Sequence, residues 1–196
     1  MRIMISGLSG CGNTTACNNV AKALGLQVLN YTFRTMAAEK GMPFEEFYPI
    51  ASSDPKYDYL VEKRQVELAE NTQDCVLGSR LAGWAVDDVD LRVWLNASLE
   101  TRAKRIANRE GKPFEQVLEA VRNRDDGDKA RYKALYGVDV DDHDGFDLVV
   151  NTEWLTAEQA AALIVAAAKL AKENNIQKPS KIAKRIKQII AEKLGE

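Results

Sequence analysis

The segment Gly7-Leu8-Ser9-Gly10-Cys11-Gly12-Asn13-Thr14 joins a short apolar run, Arg2 to Ser6, to a stretch with helical spacing at Val20, Ala23 and Leu24 that Gly25 stops. A glycine-rich turn between a strand and a helix lets successive backbone N–H groups curl around phosphate oxygens, and the helix N-terminus adds partial positive charge. The pattern for such loops is G-x-x-x-x-G-K-[ST]. Gly7, Gly12 and Thr14 meet it, and Asn13 stands where it has lysine. The loop can therefore hydrogen-bond a phosphate without bringing a formal charge, and Thr14 can ligate Mg²⁺. Cations that could supply the charge lie elsewhere. Arg80 follows directly on the run Asp74 to Gly78, at the carboxyl end of a predicted strand, where open α/β sheets bind ligands. Arg34 falls on the first turn of a predicted helix. Arg124, Asp128 and Arg131 are spaced i, i+4, i+7 on one helix face, a pattern that by itself also describes an exposed ion-pair face.

Other chemistries find little support. The single histidine, His143, sits among acidic residues in a predicted solvated turn, so imidazole catalysis is set aside. Three cysteines, Cys11, Cys17 and Cys75, are too few and of the wrong parity for a disulfide framework and form no zinc pattern, which points to a reducing cytoplasm. No apolar run reaches the roughly 20 residues of a membrane span, and no leader layout precedes Ser6. The 196 residues carry 27 Lys and Arg against 29 Asp and Glu. Six of the basic residues lie beyond Ile176, so the main body has an acidic excess and no overall attraction for nucleic acid.

The elements that must position these residues follow from periodicity. Strands are predicted at Arg2–Ser6, Leu26–Asn30, Asp74–Gly78, Asp90–Asn96 and Phe146–Thr152. Two or three helices fill the interval to about Thr72, with Asp54 as an N-cap before Pro55. Further helices are expected from Leu99, from Pro113 to Tyr136, and from a Thr156/Gln159 capping box to Lys172. Buried strands alternating with helices imply a parallel sheet covered on both faces. Asn174 to Lys181 reads as a linker. The stripe Ile182, Ile186, Ile189, Ile190 and Leu194 beyond it makes a basic amphipathic helix, expected to pack on the body or on another subunit, with contact to RNA or anionic lipid as the alternative.

Residues 1 to about 155 resemble the archaeal type of cytidylate kinase, within the nucleoside monophosphate kinases. The resemblance rests on MRIMISGLSGCGNTT, on Phe33-Arg34, on VLGSRLAGW, on DLRVWLNASLETRAKRIANREG, and on RYKALYGVD followed by FDLVVNT. It implies an α/β P-loop three-layer fold with a five-stranded parallel sheet in the order 2-3-1-4-5. It also implies a helical acceptor-binding insert at about 31–72 and a lid segment at about 111–137, within a domain spanning 1–173 with the helix at 174–196 appended. The implied reaction is transfer from ATP, with Mg²⁺, to CMP or dCMP, by a cytoplasmic monomer. Carried over residue by residue, Gly7, Gly10, Gly12, Asn13, Thr14 and Thr15 bind ATP, with Thr14 at the metal. Arg34, Arg80 and Asp128 bind the acceptor, and Arg80, Arg124 and Arg131 neutralise charge during transfer. Two positions depart from the family pattern: Asn13 replaces its lysine, and Gly78 replaces an acid at the end of the third strand. The two changes cancel in formal charge and are expected to be coupled. They also keep open a nucleotide-binding regulatory protein with little turnover, beside a P-loop kinase for another small acceptor such as AMP.

Overall fold

The computed structural model describes residues 1–174 and 181–195. Five strands form one parallel sheet: β1 (Arg2–Gly7), β2 (Gln27–Leu29), β3 (Cys75–Gly78), β4 (Leu91–Asn96) and β5 (Leu148–Asn151), in the order β2-β3-β1-β4-β5. Each buried strand divides its side chains between two cores, because successive residues point to opposite faces. Ile3, Ile5, Val76, Val93 and Leu95 face the core under helices α1 (Asn13–Leu24) and α8 (Ala157–Asn174). Met4, Leu77 and Trp94 face the other core with Trp84 and Tyr136. Trp84 is buried in this second core.

Three helices, α2 (Phe33–Glu39), α3 (Phe44–Ser53) and α4 (Pro55–Glu70), make up the insert between β2 and β3. Asp54 caps α4 by accepting from the Lys56 N–H, and Pro55 follows at the first position, where its missing N–H costs nothing. After the short α5 (Ala82–Ala85) and β4 come α6 (Leu99–Glu110) and the long α7 (Phe114–Tyr136). Thr156 and Gln159 form the reciprocal capping box before α8. His143 differs from the expected solvated turn: its ring stacks on Trp94 at 4.4 Å and its Nε2 contacts the Val140 carbonyl.

Most of the predicted linker lies outside the described residues. Beyond it, α9 (Lys181–Leu194) packs into the chain's own core through Ala183, Ile186 and Ile190, all buried. Lys187 pairs with Glu70 of α4 at 2.6 Å. None of the helices among the described residues is long and apolar enough to cross a membrane.

Candidate active site

The glycine loop is shaped by what surrounds it. Gly10 has φ +87°, and a β-carbon there would lie 2.8 Å from the Arg102 carbonyl, so both backbone angle and space require glycine. Gly7 ends β1, and Gly12 is the N-cap of α1, which has no side-chain cap, leaving first-turn N–H groups available to an anion. Thr14 and Thr15, in that first turn, are exposed. Asn13 turns inward: its Nδ2 donates to the Gly7 carbonyl at 2.7 Å.

Two arginines that sequence reasoning did not single out hold the loop from α6. Arg102 is buried and donates to the carbonyls of Ala97 and Ser9, at 3.2 and 3.1 Å. Its remaining nitrogen pairs at 2.7 Å with Asp125 of α7. Arg105 donates to the hydroxyl and carbonyl of Thr152 after β5, and reaches the Gly10 carbonyl at 3.4 Å. Six backbone or side-chain acceptors thus organise the loop through guanidinium forks, whose geometry suits multiple acceptors. The available signal was Arg102 on the face of α6 that also carries Leu99 and Ala103, a charge placed where burial was due.

Across the loop, Arg80 Nη2 lies 2.6 Å from Ser9 Oγ, and Nη1 lies 2.7 Å from Asp128 Oδ2. That carboxylate oxygen is buried without an aligned hydrogen bond, so the contact with Arg80 is an ion pair only. Arg131 Nη2 reaches the other oxygen of Asp128 at 3.0 Å, and Nη1 reaches Asp58 of α4 at 3.5 Å. The i, i+4, i+7 face is therefore not an exposed ion-pair ladder. Its carboxylates and Arg131 reach across to other elements, and Asp125 and Asp128 are buried. Arg124 is exposed at its outer end, yet burial and then the neighbouring charge of Arg80 lower its pKa. A neighbouring cation that lowers an arginine's pKa makes an added anion favourable there. Arg34 stands over the Phe44 ring, 4.0 Å from its centre, rather than in this cluster.

The α4 side of the cluster was missed as well. Asp58 and Glu62, one turn apart, are both buried, as is Gln65. Burial, and then Asp58, push the Glu62 carboxyl up to about 8 against the pull of Arg131 and Arg80, so it holds a proton at neutral pH. Burial also raises Asp58, partly opposed by Arg131. Glu62 Oε2 and Arg131 Nε are buried without hydrogen-bond partners, and a phosphate-bearing ligand with its water would satisfy groups of this kind. Cys11, in the loop, is buried, and burial pushes its thiol up to about 11, which excludes a thiolate nucleophile.

On the far side of the loop a recess of about 230 Å³ is lined by Cys11, Gly12, Thr15, Arg105, Thr152 and Leu155. Gly78 has a packing reason: a β-carbon there would lie 2.5 Å from Cys17 Sγ of α1. Among the described residues no three His, Cys, Asp or Glu side chains gather as a metal cage.

A glycine loop between β1 and α1, sheet order 2-3-1-4-5, and an arginine after β3 that reaches the loop while pairing with α7 define a P-loop kinase. Residues 2–154 match the cytidylate kinase-like family, and the chain belongs to that family. It is 42% identical over 168 residues to cytidylate kinase 2 of Borreliella afzelii, covering 84% of this chain and 94% of that one. With the cytidylate kinase of Archaeoglobus fulgidus it shares 40% identity over 174 residues, 88% of this chain and 97% of the relative. Among solved structures, shikimate kinase from Bacteroides thetaiotaomicron has a TM-score of 0.57 at 14% identity, covering 89% of this chain and 98% of that chain. Deoxyadenosine kinase from M. mycoides with bound dATP gives 0.56 at 17% identity, covering 87% and 99%. These two share the fold. The protein is an ATP-dependent nucleotide kinase.

Proposed function

We propose that the chain transfers the γ-phosphoryl group of ATP to CMP or dCMP, giving ADP and CDP or dCDP. The observation that carries this reading is the convergence of Arg80, Arg124 and Arg131 beside a glycine loop, in a chain about 40% identical to proteins named cytidylate kinase. The acceptor is a phosphate oxygen already ionised at neutral pH. It attacks the γ-phosphorus, the bond to the β–γ bridging oxygen breaks, and ADP leaves with that oxygen, so no general base is required. In-line positioning and cations suffice.

In this reading Gly7, Gly10, Gly12, Asn13, Thr14 and Thr15 cradle the ATP phosphates, and the recess lined by Cys11 and Leu155 takes the donor base. Arg34, Arg80 and Asp128 hold the acceptor, and Arg124 and Arg131 act on charge in the transition state. The donor set fits Mg²⁺ carried in by the nucleotide: an exposed Thr14 hydroxyl without a carboxylate cage suits an ion that keeps its waters and phosphate ligands. When bound, the ion would neutralise phosphate charge.

The test follows the label. With [γ-³²P]ATP, Mg²⁺ and CMP, the label should appear in CDP. Label released only as inorganic phosphate, or ATP bound without turnover, would replace the reading with a nucleotide-binding regulatory one. Label transferred to AMP in preference would reassign the acceptor.

A further inference from the structure

The glycine loop lacks the lysine of its pattern, and Asn13 does not replace the charge, because its amide nitrogen is engaged with the Gly7 carbonyl. A phosphate loop holding ATP needs a cation close by, since a carbonyl-bonded amide offers the phosphates no positive charge. The neighbouring arginines differ in how free they are to supply it. Arg102 is 4% exposed, with its fork engaged by Ala97, Ser9 and Asp125. Arg105 is fixed on Thr152 and the Gly10 carbonyl. Arg131 faces Asp58 and Asp128 on the insert side.

Arg80 is different in three respects. The pairing of Ile5 with Gly78 in adjacent parallel strands brings the residues after β3 beside the residues after β1, so Arg80 and Ser9 meet by topology. Its guanidinium is already at the loop, 2.6 Å from Ser9 Oγ. Finally, both of its ties are to side chains that can rotate, and the one to Asp128 is a charge contact without hydrogen-bond alignment. An incoming phosphate can compete for that nitrogen, while Arg131 keeps its hold on the other oxygen of Asp128.

We propose that Arg80 serves the donor nucleotide as well as the acceptor, moving from Asp128 onto the ATP phosphates to stand in for the missing loop lysine. Its fork spans two anionic oxygens, so one residue can touch the transferring group and the acceptor phosphate together. The inference rests on the ATP-dependent reaction proposed above and assigns a donor-side role within it.

The experiment is calorimetric titration of the full chain with the nonhydrolysable ATP analogue AMP-PNP and Mg²⁺, without acceptor, and separately with CMP alone. The proteins are wild type, Arg80→Gln, Arg80→Lys, Asn13→Lys, and the Arg80→Gln/Asn13→Lys double variant. Arg80→Gln should weaken AMP-PNP binding by about 10- to 100-fold, the range for one charge-assisted contact. Arg80→Lys should lose less. Asn13→Lys should restore AMP-PNP affinity in the Arg80→Gln background while adding little to wild type, a rescue that mere structural damage at position 80 would not show. Arg80→Gln binding AMP-PNP as wild type does, with only CMP affinity lost, overturns the inference and leaves the kinase reading intact. Wild type that binds no AMP-PNP overturns both.

Discussion

Gly78 and Cys17 illustrate how one residue's identity can be set by a neighbour rather than by chemistry. The space that a β-carbon at position 78 needs is filled by the Cys17 sulfur, whereas the Cys17 β-carbon stands at an ordinary 3.7 Å. Gly78→Ala should therefore lower the thermal midpoint in wild type and be tolerated once Cys17 is alanine, a coupling characteristic of touching groups. Equal costs in both backgrounds would remove the packing explanation. The expected coupling of Asn13 with Gly78 through charge was the natural reading of two sequence departures that cancel. Geometry supplies a different constraint for each: Asn13 bonds the loop backbone, and Gly78 accommodates α1. Steric contact between residues 61 positions apart has no local sequence signal. Glu62 offers a second test. Its pKa, raised to about 8, lies above the ordinary carboxylate value, so the folded chain holds a proton that the unfolded chain releases. That contribution to stability is complete below the ordinary value and is lost as pH rises toward 8. Urea midpoints between pH 5 and 8.5 should fall with pH in wild type and fall less in Glu62→Gln; parallel curves would mean that Glu62 is ionised.

At the level of elements, α7 joins the site together. Asp125 ties it to α6 and the loop, Asp128 to Arg80 after β3, and Arg131 to Asp58 of α4. On the proposed reading, in which its charge acts in the transition state, Arg131→Ala should lower kcat by about 10²-fold with a much smaller change in ATP affinity. The opposite split would assign it to ground-state binding. The strands were legible because parallel strands buried on both faces are nearly continuous apolar runs, and the five predicted strands match β1 to β5 apart from end residues. The face of α7 was legible as a pattern, but the elements its charges reach were not, because periodicity orients a helix without naming its neighbour. The same holds for α9. Its apolar stripe is plain in the sequence, and its seat against α4 and α5 in the sheet's second core is not. That seat makes α9 part of the folded body: Ile186→Ala should destabilise the chain by about 2–5 kcal/mol, the range for emptying a buried aliphatic site. A urea midpoint unchanged by that substitution would show α9 to be dispensable.

Across the whole molecule, the sheet's carboxyl ends bring together a neutral loop and a set of arginines matched by buried acids. The acids hold the cations in place: Asp128 touches both Arg80 and Arg131, and Asp58 touches Arg131. A substrate carrying phosphates competes for those cations and finds them already oriented, which reduces the ordering that binding requires. Such an arrangement suits a phosphorylated acceptor, whose charge the arginines can meet directly. The pyrimidine assignment rests on the family, and the phosphate chemistry rests on the site. Both meet in the initial rate of ADP release with ATP and Mg²⁺ across CMP, dCMP, UMP, AMP and GMP at equal concentration. CMP and dCMP should give the fastest rates, with AMP and GMP well below them; a purine monophosphate used as fast or faster would contradict the account.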